Sequence, residues 1–312
     1  MISCFVTPLS SLHMANFDSY FQVDSWDGTV SVALFISSYD ILGKIERLKR
    51  KFSTMPSNIL EKLSVHVVFY SNETCRLQSV AYLNDTTDRL YPANVVRNIA
   101  RMYVHSKYIL PTDYEFVFSK DFEGKMRALA DRELTRNPKM VLVSRTFEVS
   151  DTVKRLPRVK DPLYSLYRAG QAVEFHARYY PGAHKISGID GWFAHKESEK
   201  ASINSVLKLQ KASWEPQFVS FSTIPLHDEN FPYSIRDNSV LRWEMCRQNY
   251  TFAIVNDVFM VHRGIKLPRD IANTSAAQKK LKPQFKQALK LFTQRMKETY
   301  PETAASCPKF TA

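Results

Sequence analysis

Two carboxylates stand two positions apart in an otherwise apolar stretch of the chain. The stretch, residues 108–118, reads Tyr-Ile-Leu-Pro-Thr-Asp-Tyr-Glu-Phe-Val-Phe, and its acids are Asp113 and Glu115. Residues two apart in a β-strand point to the same face, so the spacing predicts adjacent carboxylates at a strand end. Like charges held together call for a cation or a proton between them, which predicts a divalent ion and a phosphate-bearing ligand at this point. The alternative is that the strand has ended and both acids are solvated loop residues.

The residues before this pair predict an α/β fold. Val30–Ile36 is a compact apolar run that fits a buried strand, residues 41–52 have the spacing of an amphipathic helix, and residues 65–70 again resemble a strand. A strand, a helix and a strand form a βαβ unit, so the sheet should be at least partly parallel. Residues 91–101 predict a helix that leads into the carboxylate strand. Ligands of open α/β sheets bind beyond the carboxyl ends of the strands, where Asp113 and Glu115 are expected.

The later residues extend the same pattern. We expect a helix around residues 126–133, a strand at 140–144 and two late strands at 252–256 and 258–262, the second of which ends in a histidine. Residues 151–225 have few clean periods, which indicates either a long excursion over the site or a small subdomain. Residues 281–296 predict an amphipathic helix with lysines outward, either docked on the surface or bound to a membrane or nucleic acid.

No repeat and no linker rich in glycine, serine or proline divides the chain, which favours one domain. We expect an irregular lead-in over residues 1–25, the domain over residues 26–300, and a C-terminal tail over residues 301–312.

The composition limits the classes of binding partner but does not select one. The formal charge of +12 and the pI near 9.4 suit a polyanion such as nucleic acid, a membrane surface or an acidic sugar polymer. The basic residues are scattered and form no recognisable nucleic-acid module, so we expect no nucleic-acid partner. No apolar run approaches the roughly 20 residues that span a bilayer, and no signal peptide is recognisable, so a membrane anchor is expected only if it lies outside this sequence.

Two further features concern the compartment. The four cysteines have no CxxC spacing, which argues against a zinc site and leaves one or two disulfides open. Asn-x-Ser/Thr sequons are more frequent than the roughly two expected by chance. They occur at Asn72, Asn84, Asn249 and Asn273. This surplus favours a secretory lumen.

Several short motifs occur in a fixed order along residues 26–300. The most specific is Tyr91-Pro-x-Asn94-x-x-Arg97-Asn98-x-Ala100-Arg101, followed by the carboxylate strand. The others are Phe147-Glu148, Arg155-Leu-Pro157, His184 eight positions before Trp192, Trp214-Glu-Pro216, Asp228 with Phe231, and Phe259-Met-Val-His-Arg-Gly264. In this arrangement the chain resembles glycosyltransferase family 49, the family of β-1,4-glucuronyltransferase and of the second catalytic domain of LARGE-type xylosyl/glucuronyltransferases.

The resemblance implies a type A glycosyltransferase fold, a Rossmann-like α/β domain with a mostly parallel mixed sheet flanked by helices. It implies a UDP-sugar donor held through Mn²⁺, or Mg²⁺, and a glycan or glycoprotein acceptor. It further implies inversion at the sugar carbon and residence in the Golgi lumen as a type II membrane protein. Asp113 and Glu115 match the family's Asp-x-Asp pair, and His262 matches its distal metal-binding histidine. Arg97 and Asn98 would lie beside the nucleotide, together with Asp113. An ion held by two oxygens and an imidazole would neutralise the departing diphosphate.

An inverting transfer also needs a general base that takes the proton of the acceptor hydroxyl. Glu215, Asp228 and Asp190 are the candidates from the region expected to face the acceptor.

The chain also departs from the family pattern. Glu115 replaces the second Asp, residues 234–238 replace a Gly-x-Asn-Lys sequence, and Ile186-Ser187 replaces Pro-Thr. The alternative function is therefore a catalytically inactive relative that binds a glycan or a protein.

Overall fold

The computed structural model describes residues 2–9, 25–36, 41–69, 91–268 and 271–310, with the backbone alone for residues 2–9 and 271–277. Its strands are β1 (Ile2–Leu9), β2 (Val30–Ile36), β3 (Leu63–Phe69), β4 (Tyr108–Asp113), β5 (Phe116–Phe118), β6 (Met140–Val149), β7 (Ala172–Glu174), β8 (Ile203–Leu207), β9 (Gln217–Phe221) and β10 (Thr251–Arg263). Its α-helices are α1 (Ile41–Ser53), α2 (Ser57–Leu60), α3 (Ala93–Met102), α4 (Phe122–Glu133), α5 (Lys160–Arg168), α6 (Ile189–Ala194), α7 (Ser239–Arg247) and α8 (Ile271–Thr299), and a 3₁₀ turn follows at Pro301–Thr303.

The strands form one mixed sheet in the order β3-β2-β1-β4-β9-β6-β10-β5, with β7 paired to β6 and β8 paired to β10. Strands β3, β2, β1 and β4 are successively parallel. Strand β9 runs antiparallel to both β4 and β6, and β6 is parallel to β10. The six strands β1, β2, β3, β4, β6 and β10 therefore point in one direction, and their carboxyl ends meet at one edge of the sheet. This confirms the predicted α/β fold with a mostly parallel mixed sheet.

Helices cover both faces of the sheet, as the packing of the β2 residues shows. Val32 and Leu34 pack into a core that includes residues of α1 and α4, whereas Ala33 and Phe35 pack into a core formed with α3, α7 and α8. Alternate residues of a strand face opposite sides, so a strand buried on both sides must be apolar throughout. The continuous apolar run of β2 follows from this three-layer arrangement. None of the helices in the described ranges is long and apolar enough to cross a membrane.

The prediction of an irregular lead-in over residues 1–25 is wrong for residues 2–9, which form β1 between β2 and β4. Small and polar residues and a proline interrupt the apolar ones in this strand, so no period marks it. The tail after residue 300 also belongs to the folded body, because Cys307 forms a disulfide with Cys246 of α7 and Phe310 is buried.

Two predicted strands have different ends in the structure. The carboxylate strand divides: β4 ends at Asp113, residues 114–115 form a turn, and β5 pairs with β10. The two strands predicted at 252–256 and 258–262 are one continuous strand, β10, whose register shifts between Ile254 and Phe259. Asp257 lies at this irregularity with a left-handed φ of 70°. Residues 151–225 return to the same sheet through β7, β8 and β9.

Candidate functional site

The carboxyl edge of the sheet brings together residues that are far apart in the sequence. Asp113 is the last residue of β4, while Glu148 and His262 each lie one position before the end of their strand. In the sheet register His262 is paired with Glu148 on one side and with Phe116 on the other. Because in-register side chains of neighbouring strands share a face, these strands present an acid and a histidine side by side.

Glu115 and His262 are in direct contact. The turn after β4 places Glu115 Oε2 2.6 Å from His262 Nε2. Burial raises the pKa of Glu115, but the hydrogen bond from His262 and its charge outweigh this, so the pKa of Glu115 lies below its usual value. The predicted association of these two residues across the chain is therefore present in the fold.

Buried polar atoms without hydrogen-bond partners surround this pair. Among the described residues, both carboxylate oxygens of Glu148, Nε2 of His176 and Nδ1 of His262 lack a partner. Glu148 is fully buried, and its Oε1 lies 3.8 Å from His176 Nε2. Burial raises the pKa of Glu148 and lowers that of His176 to about 2, because it disfavours the charged form of both groups. Buried polar groups normally have partners, so these unpaired atoms mark a candidate position for binding.

The side-chain atoms of Glu115 and His262 suit a divalent ion that has few protein ligands. Glu115 offers an oxygen and His262 a nitrogen, whereas no group of three or more His, Cys, Asp and Glu side chains in the described part of the chain is arranged to hold an ion. Carboxylate oxygens suit Mg²⁺ or Mn²⁺, imidazole favours a transition metal, and such ions commonly complete their shell with water and substrate phosphate. The residues fit an ion bound in this way.

Asp113 has different neighbours from Glu115. It lines a cleft under the end of β4, where the other lining residues include Arg97, His227 and Arg242. Its charge acts on the pKa values of Arg97, Arg242 and two tyrosines, Tyr91 and Tyr233. The turn at residues 114–115 interrupts the strand between the two acids, so the period-two argument that predicted them on one face does not apply across it.

The cleft itself contains buried polar groups that the chain leaves unpaired. His227 is 2% exposed, and neither ring nitrogen has a hydrogen-bond partner among the described residues. Gln217 Oε1 and Arg97 Nε are unpaired there as well. Burial and the charges of Arg97 and Arg242 hold the pKa of His227 well below its usual value, so its ring is neutral.

Arg97 and Asn98, predicted beside the nucleotide, hold the segment 222–238 against α3. The Arg97 guanidinium forms a buried ion pair with Asp237 at 2.7 Å, and Arg97 also lines the cleft. The Asn98 side chain donates to the carbonyl of His227 and accepts from its backbone N–H, both at 2.9 Å. One turn later, Arg101 donates to the carbonyls of Ser222, Ile224 and Pro225. The polar face of α3 is therefore a clamp for this segment.

The three candidates for the general base have different surroundings. Burial raises the pKa of Glu215, and the charges of Arg242, Asp237 and Arg97 also act on it. Asp228 uses both carboxylate oxygens within the fold, one for Asn230 and one for Arg295 of α8.

Asp190 is exposed in the first turn of α6, where its charge acts on the pKa of Tyr167. Of the three acids, Glu215 alone has a pKa on which the charges of Arg97 and Arg242, two lining residues of the cleft, act.

Three residues of the candidate site were not assigned a role from the sequence alone. Glu148 was recognised as a motif residue without a role, although an acid near the end of an apolar strand was the available signal. His176 had no signal, because it follows the short strand β7 in a region without clear periods. Asp237 was overlooked, since its importance depends on its ion pair with Arg97, 140 positions away.

The departure from the family pattern at residues 234–238 is visible in the backbone. Ser234 and Arg236 have left-handed φ angles of 72° and 57°. A glycine adopts this conformation without a steric penalty, whereas serine and arginine do not. Both residues therefore hold a backbone conformation that favours glycine.

Comparison with known proteins identifies the sequence family of this chain. Residues 4–301 match the family model described as glycosyl-transferase for dystroglycan. Mouse beta-1,4-glucuronyltransferase 1 is 23% identical over 312 residues, which cover 91% of this chain and 73% of the mouse protein. The zebrafish protein of the same name is 24% identical over 220 residues, 70% of this chain and about half, 49%, of that relative. The glycosyltransferase-like protein LARGE of Caenorhabditis elegans is 24% identical, covering 83% of this chain and 38% of that protein.

Solved structures resemble the chain more distantly. GalNAc-T7 with UDP, GalNAc and Mn²⁺ has a TM-score of 0.44 at 9% identity, over 86% of this chain and 44% of that protein. S. aureus TarS 1–349 in complex with UDP-GlcNAc has a TM-score of 0.41 at 10% identity, over 85% of this chain and 59% of that one. TM-scores in this range reflect a partial likeness, so the relationship rests on the sequence match.

Proposed function

The chain belongs to the family described as glycosyl-transferase for dystroglycan, and from this we propose that it moves a sugar from a UDP-sugar to a glycan acceptor with the help of a divalent ion. The observation that carries the proposal is the contact between Glu115 and His262 at the carboxyl edge of the sheet, beside buried groups without partners. The named relatives make glucuronic acid the first donor sugar to test.

The chain's own residues divide the work of donor binding. Glu115 and His262 would hold the ion, preferably Mn²⁺, and Asp113 would face the donor from the end of β4. When bound, the ion supplies neutralisation of the negative charge that develops on the departing diphosphate. Lys266 is exposed, and its charge acts on the pKa values of Glu115 and Glu148, so it offers a second positive group for phosphate at this edge.

Glu215 is the general base in this proposal. The acceptor hydroxyl oxygen attacks the anomeric carbon while its proton passes to Glu215, and the bond from that carbon to the diphosphate oxygen breaks with inversion. Both electrons of that bond leave with UDP. A carboxylate with a raised pKa is a stronger base than an ordinary one, and Glu215 has such a pKa because of burial.

Two observations support the secretory pathway as the compartment. The Cys246–Cys307 disulfide fits an oxidising environment. The sequon at Asn249 lies exposed in the turn between α7 and β10, where it is accessible to glycosylation.

A ligand-dependent melting experiment tests the donor site. We expect UDP with Mn²⁺ to raise the melting temperature of the wild-type chain, since a ligand at about 100 times its Kd adds about 2.7 kcal/mol to the free energy of unfolding. Glu115→Gln, His262→Ala and Asp113→Asn should each reduce the shift, while exposed Glu61→Gln serves as the matched control. Absence of a shift in the wild-type chain would contradict the proposal. UDP release from a panel of UDP-sugars then identifies the donor.

A kinetic experiment tests the base. Glu215→Gln should lower kcat by about 10²- to 10⁴-fold with a smaller effect on donor binding. Asp228→Asn and Asp190→Asn are the comparison variants and should retain activity. Because the base must be ionised, the raised pKa of Glu215 should move the acidic limb of the rate profile above the usual carboxyl range near pH 4.3. An unchanged rate in Glu215→Gln would remove Glu215 from this role.

The second candidate is an inactive relative that binds a glycan or protein. It is favoured by Glu115 in place of aspartate and by the strained backbone at Ser234 and Arg236. Binding of UDP with Mn²⁺ without release of UDP from any donor would support it over the transferase.

A further inference from the structure

Helix α8 carries a row of lysines along one line of its surface. The members of this lysine row are Lys279, Lys282, Lys286, Lys290 and Lys297, and all of them are exposed. Their steps of three, four, four and seven positions follow the helical repeat, so the side chains project in nearly the same direction. At 1.5 Å per residue the row is about 27 Å long.

The opposite face of α8 is buried in the core. It consists of Leu281, Phe285, Ala288, Phe292 and Met296, each at most 8% exposed. Because the apolar side is occupied by the protein, this helix has no free apolar face to insert into a bilayer. The lysine row is left as its outward surface.

Within α8, no acidic residue at helical contact spacing balances the positive charge of the row. No Asp or Glu stands three or four positions from any of these lysines. Three successive pairs in the row are instead like charges at helical contact spacing, which destabilises a helix. A basic side chain of the same helix that does have acidic partners, Arg295, lies on another side and pairs with Asp228 and Glu244. An uncompensated row of this kind fits a negatively charged partner outside the chain.

The row is also connected to the cleft. Gln278, directly before Lys279, donates to the Ser234 carbonyl at 2.7 Å. Phe231 packs on Phe285 and Phe292 of the same helix. The segment that α8 supports is the one that α3 clamps, and Asn238 of this segment lines the cleft. The row therefore lies on a helix that supports a segment lining the cleft.

From this geometry we infer that the lysine row binds an acidic polysaccharide chain that carries carboxylate or sulfate groups. A row one residue wide and several residues long matches a linear polyanion better than the broad surface of a bilayer. The choice of a polysaccharide over nucleic acid rests on the proposed function, because a glycan is the polymer on which such an enzyme acts.

Charge-matched variants test the inference. The row variant changes the five lysines to glutamine. The control variant changes five other exposed lysines, Lys120, Lys154, Lys196, Lys200 and Lys208, to glutamine and removes the same net charge. Binding of the full chain to immobilised heparin and to hyaluronan, a carboxylate-only polymer, is measured at physiological salt, with anionic phosphatidylserine vesicles and duplex DNA as further arms.

We expect the row variant to bind one or both polysaccharides at least about tenfold more weakly, with less salt dependence, and the control variant to lose less than about twofold. Equal losses in both variants would show that net charge alone acts and would overturn the inference, as would no loss in the row variant. A row-dependent affinity for vesicles or DNA that equals or exceeds that for the polysaccharides would also overturn it. The UDP and Mn²⁺ melting shift should be unchanged in the row variant. If wild type lacks that shift, the proposed function fails, whereas the fate of the row is decided by polysaccharide binding.

Discussion

Two polar regions lie on either side of the turn after β4, and they differ in how completely the chain uses them. On the α3 side, Asn98 and Arg101 donate to the backbone of the segment 222–238, and Arg97 pairs with Asp237 of the same segment. On the His262 side, the buried oxygens of Glu148 and ring nitrogens of two histidines have no partner in the described residues. Unpaired buried atoms also occur on the α3 side, at His227 and Gln217, so the difference is that the α3 side holds a backbone segment in place, whereas the described contacts of the His262 side hold no such segment.

The largest effect on stability should come from breaking the clamp at its ion pair. Arg97→Met leaves the carboxylate of Asp237 buried without its cation, so we expect the free energy of unfolding to fall by about 3–5 kcal/mol in urea denaturation. Asp237→Asn should cost a similar amount. Replacing both residues should cost less than the sum of the two, and strict additivity would show that the pair does not act as one unit.

A smaller loss is expected from Asn98→Ala. This change leaves the buried N–H and C=O of His227 without their partners, which should cost about 1–3 kcal/mol by the same measurement. Exposed Asn58→Ala in α2 is a suitable control. A cost no greater than that of the control would remove Asn98 from the clamp.

In the region around His262, we expect a substitution to lower metal affinity rather than stability. Glu148→Gln keeps a side-chain oxygen that can accept from the backbone of His176 and Lys266, so the free energy of unfolding should change by less than about 1 kcal/mol. Because outer groups orient metal-binding histidines, Mn²⁺ affinity measured by calorimetry should fall about 10- to 100-fold. A large loss of stability with unchanged Mn²⁺ affinity would make Glu148 part of the scaffold and erase the contrast.

The smallest effect concerns the strained end of the clamped segment. Ser234→Gly relieves a left-handed backbone at the cost of greater freedom in the unfolded chain, and we expect a net gain of at most about 1 kcal/mol in thermal melts. Exposed Ser57→Gly at the start of α2 supplies an ordinary backbone as control. Destabilisation by Ser234→Gly would mean that the serine contributes more than its conformation.

The sequence predicted the elements with strong periods and missed those that depend on distant contacts. Strand β2 and helix α1 have clear apolar spacing, and both were placed within one residue of their observed ends. Strand β1 mixes small, polar and apolar residues, and its place in the sheet depends on β2 and β4 rather than on its own pattern. Local periodicity carries no information about such pairing.

The candidate site was predictable to the level of residue types. The motif order led to Glu115 and His262, whose contact the fold contains, and to Asp113, which lines the cleft with Arg97 and His227. Asn98 was expected beside a nucleotide, but its amide is used by the backbone of His227. A motif identifies a residue as needed, and only the contacts decide whether it serves the ligand or the fold.

The position of β1 has a consequence for how the chain acquires its fold. Ile2 is paired with Tyr108, and Cys4 is paired with Val30 on the other edge of the same strand. The middle of the sheet thus joins the beginning of the chain to residues made about a hundred positions later, a topology of high contact order that slows folding. During synthesis, β1 would wait with one edge open until β4 emerges, and that interval is when this chain would depend most on protection from aggregation.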